Sequence, residues 1–172
     1  RKITRKASTR IARAAFNLAA QRRCKVTVVH KANVFRVSDG LFLEAVRAVR
    51  EDFPDFEYEE QIVDAMAALL IREPAQFDVI VTTNMYGDIL SDEASEIAGS
   101  LGMAASLNAG EHFAMAQAQH GSAPSLAGQD IANPSSLIGS AAMLLRWIAK
   151  RHDAPHFVLA AKAIESAIST AV

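Results

Sequence analysis

Residues 61–98 read QIVDAMAALLIREPAQFDVIVTTNMYGDILSDEASEIA, and the class of the fold turns on them. From Val63 to Arg72 the apolar side chains recur at three-four spacing and the run stops before Pro74, as a helix does. Phe77 to Thr82, FDVIVT, has no polar face to offer water and reads as a strand buried on both sides. A further helix, from about Gly87 to Ala98, carries DILSDEASEIA. Helix, dry strand and helix in succession imply an α/β fold with a covered parallel sheet.

The same alternation extends towards the N-terminus. Thr4 or Ser8 can cap a helix that runs to about Gln21, with Ile11, Ala14, Ala15, Leu18 and Ala19 on one face. Lys25 to His30, KVTVVH, is a short β-branched strand that ends at Lys31 and Asn33. Ser38 and Asp39 open a helix through Val49, and Asp52 to Asp55 with Pro54 breaks it before the extended EYEEQ. Beyond Ala98 the texture loosens through GSLGMAASLNAGEH, which places a domain boundary between 1–98 and 99–172. An extended AMAQA, a glycine-rich HGSAPSLAGQDIANP and two helices, Ser135 to Arg151 and Pro155 to Ala171, complete the chain.

Composition narrows the function classes. The 172 residues are 51% apolar with a formal charge of -1, acids and bases being mixed along the chain, which argues against nucleic-acid binding. Cys24 is the only cysteine, so no internal disulfide can form and a reducing, cytoplasmic setting is expected. No apolar run reaches the roughly 18 residues of a membrane span. The basic start, RKITRKASTRIAR, reads as a solvated helix face rather than a targeting signal. A start without methionine, in mid-pattern, is expected of a piece of a longer protein.

Asp88 and Asp92 stand one helical turn apart in GDILSD, so their carboxylates share a face, near a helix start whose dipole favours anions. Oxygen ligands without cysteine or histidine suit magnesium or manganese. A solvated acidic face is the alternative, but the helix begins where a buried strand ends, which is where open α/β sheets bind ligands. Asp64 is a third candidate, and also an ordinary acidic residue of a helix start. Lys31, partly desolvated beside a cation, could exchange a proton with a hydroxyl; it could equally be a surface lysine at a strand end. His120 to Pro124, HGSAP, with Gly128 and Asn133, can bring backbone amides close to a nucleotide or form a simple turn. Neither common phosphate-binding glycine fingerprint is present. His152 and His156 are separated by the helix breaker Pro155 and make a poor metal pair.

Taken together, HKANVFRVSDGLF (30–42), the run from Gln61 to Gly102, and HGSAPSLAGQDIANPSSLIGSAAMLLRW (120–147) resemble consecutive segments of the isocitrate/3-isopropylmalate family of β-decarboxylating dehydrogenases. The resemblance covers nearly the whole chain. It implies an α/β chain made of a small dimer-forming domain (1–98) and part of a large mixed-sheet domain (99–172) with the cofactor loop. It implies that Lys31 and Asn33 touch a small 2-hydroxy acid, that Lys31 and Asp64 are catalytic, and that Asp64, Asp88 and Asp92 hold magnesium or manganese. Lys31 and Asp64 would serve the other subunit, which implies a homodimer with shared active sites. The implied reaction passes hydride to NAD or NADP and releases carbon dioxide from the oxidised acid. His120, Gly121, Ser122, Ala123, Ser125 and Asn133 would hold the cofactor's adenosine.

The chain departs from the family at several points. Gln117, Ala118 and Gln119 stand where Glu-Pro-Val is usual, and Ser125 stands where NAD enzymes carry an aspartate. The Lys-Tyr pair of bacterial NADP enzymes is also missing, so NAD is the expected cofactor with NADP open. The family's substrate-gripping arginines and active-site tyrosine have no counterpart in these residues, so the piece alone is not expected to turn over. His30 and SDGLF are closer to isocitrate and homoisocitrate enzymes than to isopropylmalate enzymes, and isocitrate or a close analogue is the expected substrate. The alternatives are a non-catalytic regulatory or truncated subunit that keeps the dimer scaffold, and an α/β interaction domain without a small-molecule ligand.

Overall fold

A computed structural model describes residues 2–171, which divide into two compact units, one up to Ala94 and the other from Ser95. In the first unit, β1 (Lys25–His30) lies between β2 (Glu57–Ile62) and β3 (Val79–Thr82), all parallel. Helices α1 (Arg5–Ala19), α2 (Ser38–Arg50), α3 (Val63–Arg72) and α4 (Asn84–Ile97) flank this sheet.

Strand periodicity decides which helix covers which face. Val26, Val28, Val79 and Val81 point to a core built with Ala12, Ala15, Phe16 and Ala19 of α1 and Phe42, Leu43, Val46 and Val49 of α2. Val29 and Ile80, one residue out of step, pack with Met66 and Leu70 of α3, Phe77, and Leu90 of α4. The apolar run of β1 is therefore needed on both sides, and the result is a three-layer α/β/α arrangement. Phe16 is fully buried and stacks on Phe53 at 5.0 Å; burial of such a ring contributes about 1.5–3 kcal/mol. At the end of the sheet remote from Lys31, Asp78 accepts hydrogen bonds from Arg22 Nε (2.7 Å) and the Arg23 backbone N–H (3.1 Å).

In the second unit, β4 (Ala105–Ala109) and β5 (Ala114–Ala118) form an antiparallel pair that packs on α5 (Ser135–His152), itself packed on α6 (His156–Ala171). Ser136 and Ser140 of α5, both fully buried, do the joining. Ser140 Oγ accepts the Ser106 N–H at 2.9 Å and donates to the Gln117 carbonyl at 2.7 Å, while Ser136 Oγ accepts the Gln119 N–H at 3.0 Å.

Two expectations are corrected in detail. The GSLGMAASLNAGEH stretch is not wholly loose: it contains a 3-10 turn, Leu101–Met103, and the strand β4. Helix α4 starts at Asn84 rather than Gly87, which puts Asp88 beyond its first turn. The macrodipole therefore does little for that carboxylate.

Candidate active site

The turn after β1 places the first group of candidates. Lys31 donates its backbone N–H to Asp39 Oδ2 at 2.9 Å, and its carbonyl accepts the N–H groups of Val34 (2.9 Å) and Phe35 (2.8 Å). His30 Nδ1 accepts the Ala32 N–H at 3.0 Å, which requires the neutral ring with its proton on Nε2. Burial holds the His30 ring below the ordinary histidine value, partly opposed by the negative charges of Glu60 and Asp39. From this braced turn the side chain of Lys31 reaches α3 and its Nζ donates to Asp64 Oδ1. The Lys31 side chain is 24% exposed and that of Asp64 68%, so the pair sits at the surface with the lysine end sheltered. The hydrogen bond from Lys31, assisted by the backbone N–H of Asp64 itself, holds the Asp64 carboxyl below the usual carboxylate range. Asp64 is thus kept as an anion with an oxygen facing outwards. Asn33 is exposed on the same turn.

Asp88 and Asp92 are exposed on α4, while Tyr86 and Leu90 of that helix are buried. Their four-residue spacing puts both carboxylates on one helix face, beside the exposed apolar side chains of Met85 and Ile89. Two hard oxygen donors with no sulfur or imidazole among them fit magnesium or manganese as part of a shell completed by water, substrate or another carboxylate. Among the described residues, no three acidic, histidine or cysteine side chains form a group able to hold a metal. Within one chain, then, Asp64 is not gathered with Asp88 and Asp92. A separate cleft in the first unit, lined by Lys2, Thr4, Arg10, Thr82, Thr83 and Asn84 among others, includes none of these three aspartates.

The second unit carries the candidate cofactor residues on one open loop. Every residue from His120 to Pro134 is exposed. A Cβ at Gly121 would meet nothing within 4 Å, so this backbone is open to a ligand. Ala123 has the left-handed φ of 41° and leads into a 3-10 turn, Pro124–Leu126; Gln129 Nε2 donates to the Ser125 carbonyl at 2.6 Å. His120 Nδ1 lies 2.9 Å from the Gly121 carbonyl. Asn133 Oδ1 accepts the Ser135 N–H at 2.9 Å at the start of α5. Ser122 is exposed beside them. The loop is thus exposed throughout, with open space at Gly121 and its end anchored at Asn133.

Three residues outside the sequence-derived set support these groups. Asp39 is fully buried and holds Lys31; its position at a helix start gave only a helix signal. Gly102 lies against Asn133, where a Cβ would sit 3.1 Å from the Asn133 Cβ. Gln119 Nε2 donates to Ser95 Oγ at 2.9 Å, which ties the strand entering HGSAP to the last part of α4. Gln119 is among the departures from the family pattern, and here it has a structural task.

Comparison with known proteins places this architecture. The family model described as isocitrate/isopropylmalate dehydrogenase matches residues 1–172. The chain is 51% identical over 166 residues to a 3-isopropylmalate dehydrogenase of Sulfurisphaera tokodaii, covering 96% of this chain and 49% of that protein. It is 51% identical over 152 residues to a homoisocitrate dehydrogenase of Methanocaldococcus jannaschii, covering 88% and 44%. The crystal structure of isocitrate dehydrogenase from Methylococcus capsulatus superposes with a TM-score of 0.82 at 47% identity, over 86% of this chain and 44% of that one. The chain spans about half the length of the curated relatives it matches. A parallel α/β unit with Lys31 and Asp64 paired at a strand end, and a family match from first residue to last, lead to one conclusion: the chain belongs to the isocitrate/isopropylmalate dehydrogenase family.

Proposed function

We propose that the protein of which this chain is part oxidises and decarboxylates a small 2-hydroxy acid in a metal- and NAD(P)-dependent reaction. The observation that carries the reading is the Lys31–Asp64 pair on its braced turn, in a family whose relatives are named as dehydrogenases of isopropylmalate, homoisocitrate and isocitrate. Bound magnesium or manganese would polarise the hydroxyl and the adjoining carbonyl, and bound NAD or NADP would accept the hydride. Lys31 binds the acid and moves the proton of its 2-hydroxyl. Asn33, exposed next to it, orients the acid by hydrogen bonding. Asp64, Asp88 and Asp92 supply the carboxylates for the cation, and His120, Gly121, Ser122, Ala123, Ser125 and Asn133 hold the adenosine.

We further propose a homodimer in which Asp64 and Lys31 of one chain serve the Asp88 and Asp92 of its partner. Exposed Ile71 of α3 (66%) and Ile89 of α4 (61%) support this, since large aliphatic side chains on adjacent elements favour cover by another surface. The first unit is then the dimer-forming and metal-binding part and the second the cofactor-binding part. NAD is favoured over NADP, isocitrate or a close analogue is the favoured acid, and the cytoplasm is the proposed location; no helix of the described residues is long and apolar enough to cross a membrane. Calorimetric titration of the intact protein with manganese and isocitrate tests the reading. Asp88→Asn is expected to weaken manganese binding at least about tenfold, and unchanged binding would overturn it.

A further inference from the structure

Lys31 opens a turn whose side chains, from Asn33 to Val37, are exposed. One buried group holds its start. Asp39 has no exposed surface, and its Oδ2 accepts the Lys31 N–H at 2.9 Å while its Oδ1 accepts from Ser38 Oγ at 3.2 Å. A carboxylate taken wholly from water is costly unless its oxygens are bonded. Here the compensation comes from those donors and from its place in the first turn of α2, where the helix dipole favours negative charge. The charge makes the bond to Lys31 stronger and more directional than a neutral acceptor would.

We propose that Asp39 is a positioning residue: it fixes the backbone of Lys31 at the end of β1 and thereby aims the ammonium group at its reacting partner. The proposal rests on the function assigned above to Lys31. The Lys31 carbonyl is held by Val34 and Phe35, so of the two peptide groups flanking its Cα one is held by Asp39 and the other by the turn. Loss of either tether lets the side chain swing while its identity is kept. A misplacement of that kind acts on the proton-transfer step rather than on dinucleotide binding.

Two measurements on the intact protein decide this, with Asp39→Asn chosen because it keeps the shape of the buried group. First, the exchange rate of the Lys31 backbone amide, followed by NMR, is expected to rise at least about tenfold in Asp39→Asn while that of buried Val28 stays put. Unaltered protection at Lys31 overturns the proposal even in a preparation that turns over nothing. Second, Asp39→Asn is expected to lower kcat about tenfold with the dinucleotide KM within about twofold, and to cost less than about twofold more when Lys31→Ala is already present. An equal loss in both backgrounds would mean that Asp39 acts through general stability, and would overturn the proposal. The functional reading fails in a different way: the unsubstituted protein would not oxidise the hydroxy acid, or Lys31→Ala would retain its rate.

Discussion

At the scale of single residues, two expectations follow from the contact between Lys31 and Asp64 and the proton-transfer role proposed for Lys31. Lys31→Ala is expected to lower kcat of the intact protein by about 10²–10⁴-fold, the usual size of a general acid-base contribution, without loss of the fold measured by circular dichroism. The same substitution removes the main cause of the lowered Asp64 pKa, so the carboxyl carbon of Asp64, followed by NMR, should titrate at higher pH. His30 sets a pH dependence of the opposite residue type but the same direction. Its folded pKa lies below the ordinary 6.5 because of burial, so the unfolded chain binds the proton more readily. The stability tied to the neutral ring is complete above about 6.5 and is lost as pH falls through the lower folded value. Thermal melts should show this loss in the native chain and a smaller one in His30→Gln.

At the scale of elements, the buried runs and the extended AMAQA were legible in the sequence and the strand ASLNA was not. KVTVVH and FDVIVT have the β-branched composition that only a sheet covered on both faces uses, and the structure pairs them as β1 and β3. Strand β4, ASLNA, carries alanine, serine and asparagine in place of such residues; its strand state comes from pairing with β5 and from Ser140 of α5. No local signal marks that partnership. In the same way the sequence singles out Lys31, Asp64, Asp88 and Asp92 by type and spacing, whereas Asp39 and Gly102 matter through neighbours distant in the chain. Gly102→Ala is expected to displace Asn133, because a Cβ there meets the Asn133 Cβ at 3.1 Å; the dinucleotide KM should rise several-fold while the hydroxy-acid KM holds. Phe16→Ala, at the fully buried centre of the α1–α2 face, should cost about 3–5 kcal/mol in denaturant unfolding.

For the whole molecule, the decisive feature is that the three aspartates proposed as metal ligands are not gathered within one chain: no metal-holding group of three occurs among its described residues, although Asp64, Asp88 and Asp92 all lie in the first unit. The proposed two-fold pairing of chains would resolve this, since an isologous contact can bring Asp64 of each copy to the aspartate pair of the other. Ile89, 61% exposed on the helix that bears that pair, is expected to be covered in the dimer. Ile89→Arg should therefore raise the dimer dissociation constant by at least about a hundredfold in sedimentation equilibrium. The most direct measurement mixes two inactive variants of the intact protein, Asp64→Asn and Asp88→Asn, under conditions of subunit exchange. Each mixed dimer would hold one intact site beside one doubly damaged site, so activity should return to about a quarter of the native value at equal ratios. No return after exchange is complete would contradict the sharing of one cation between two chains.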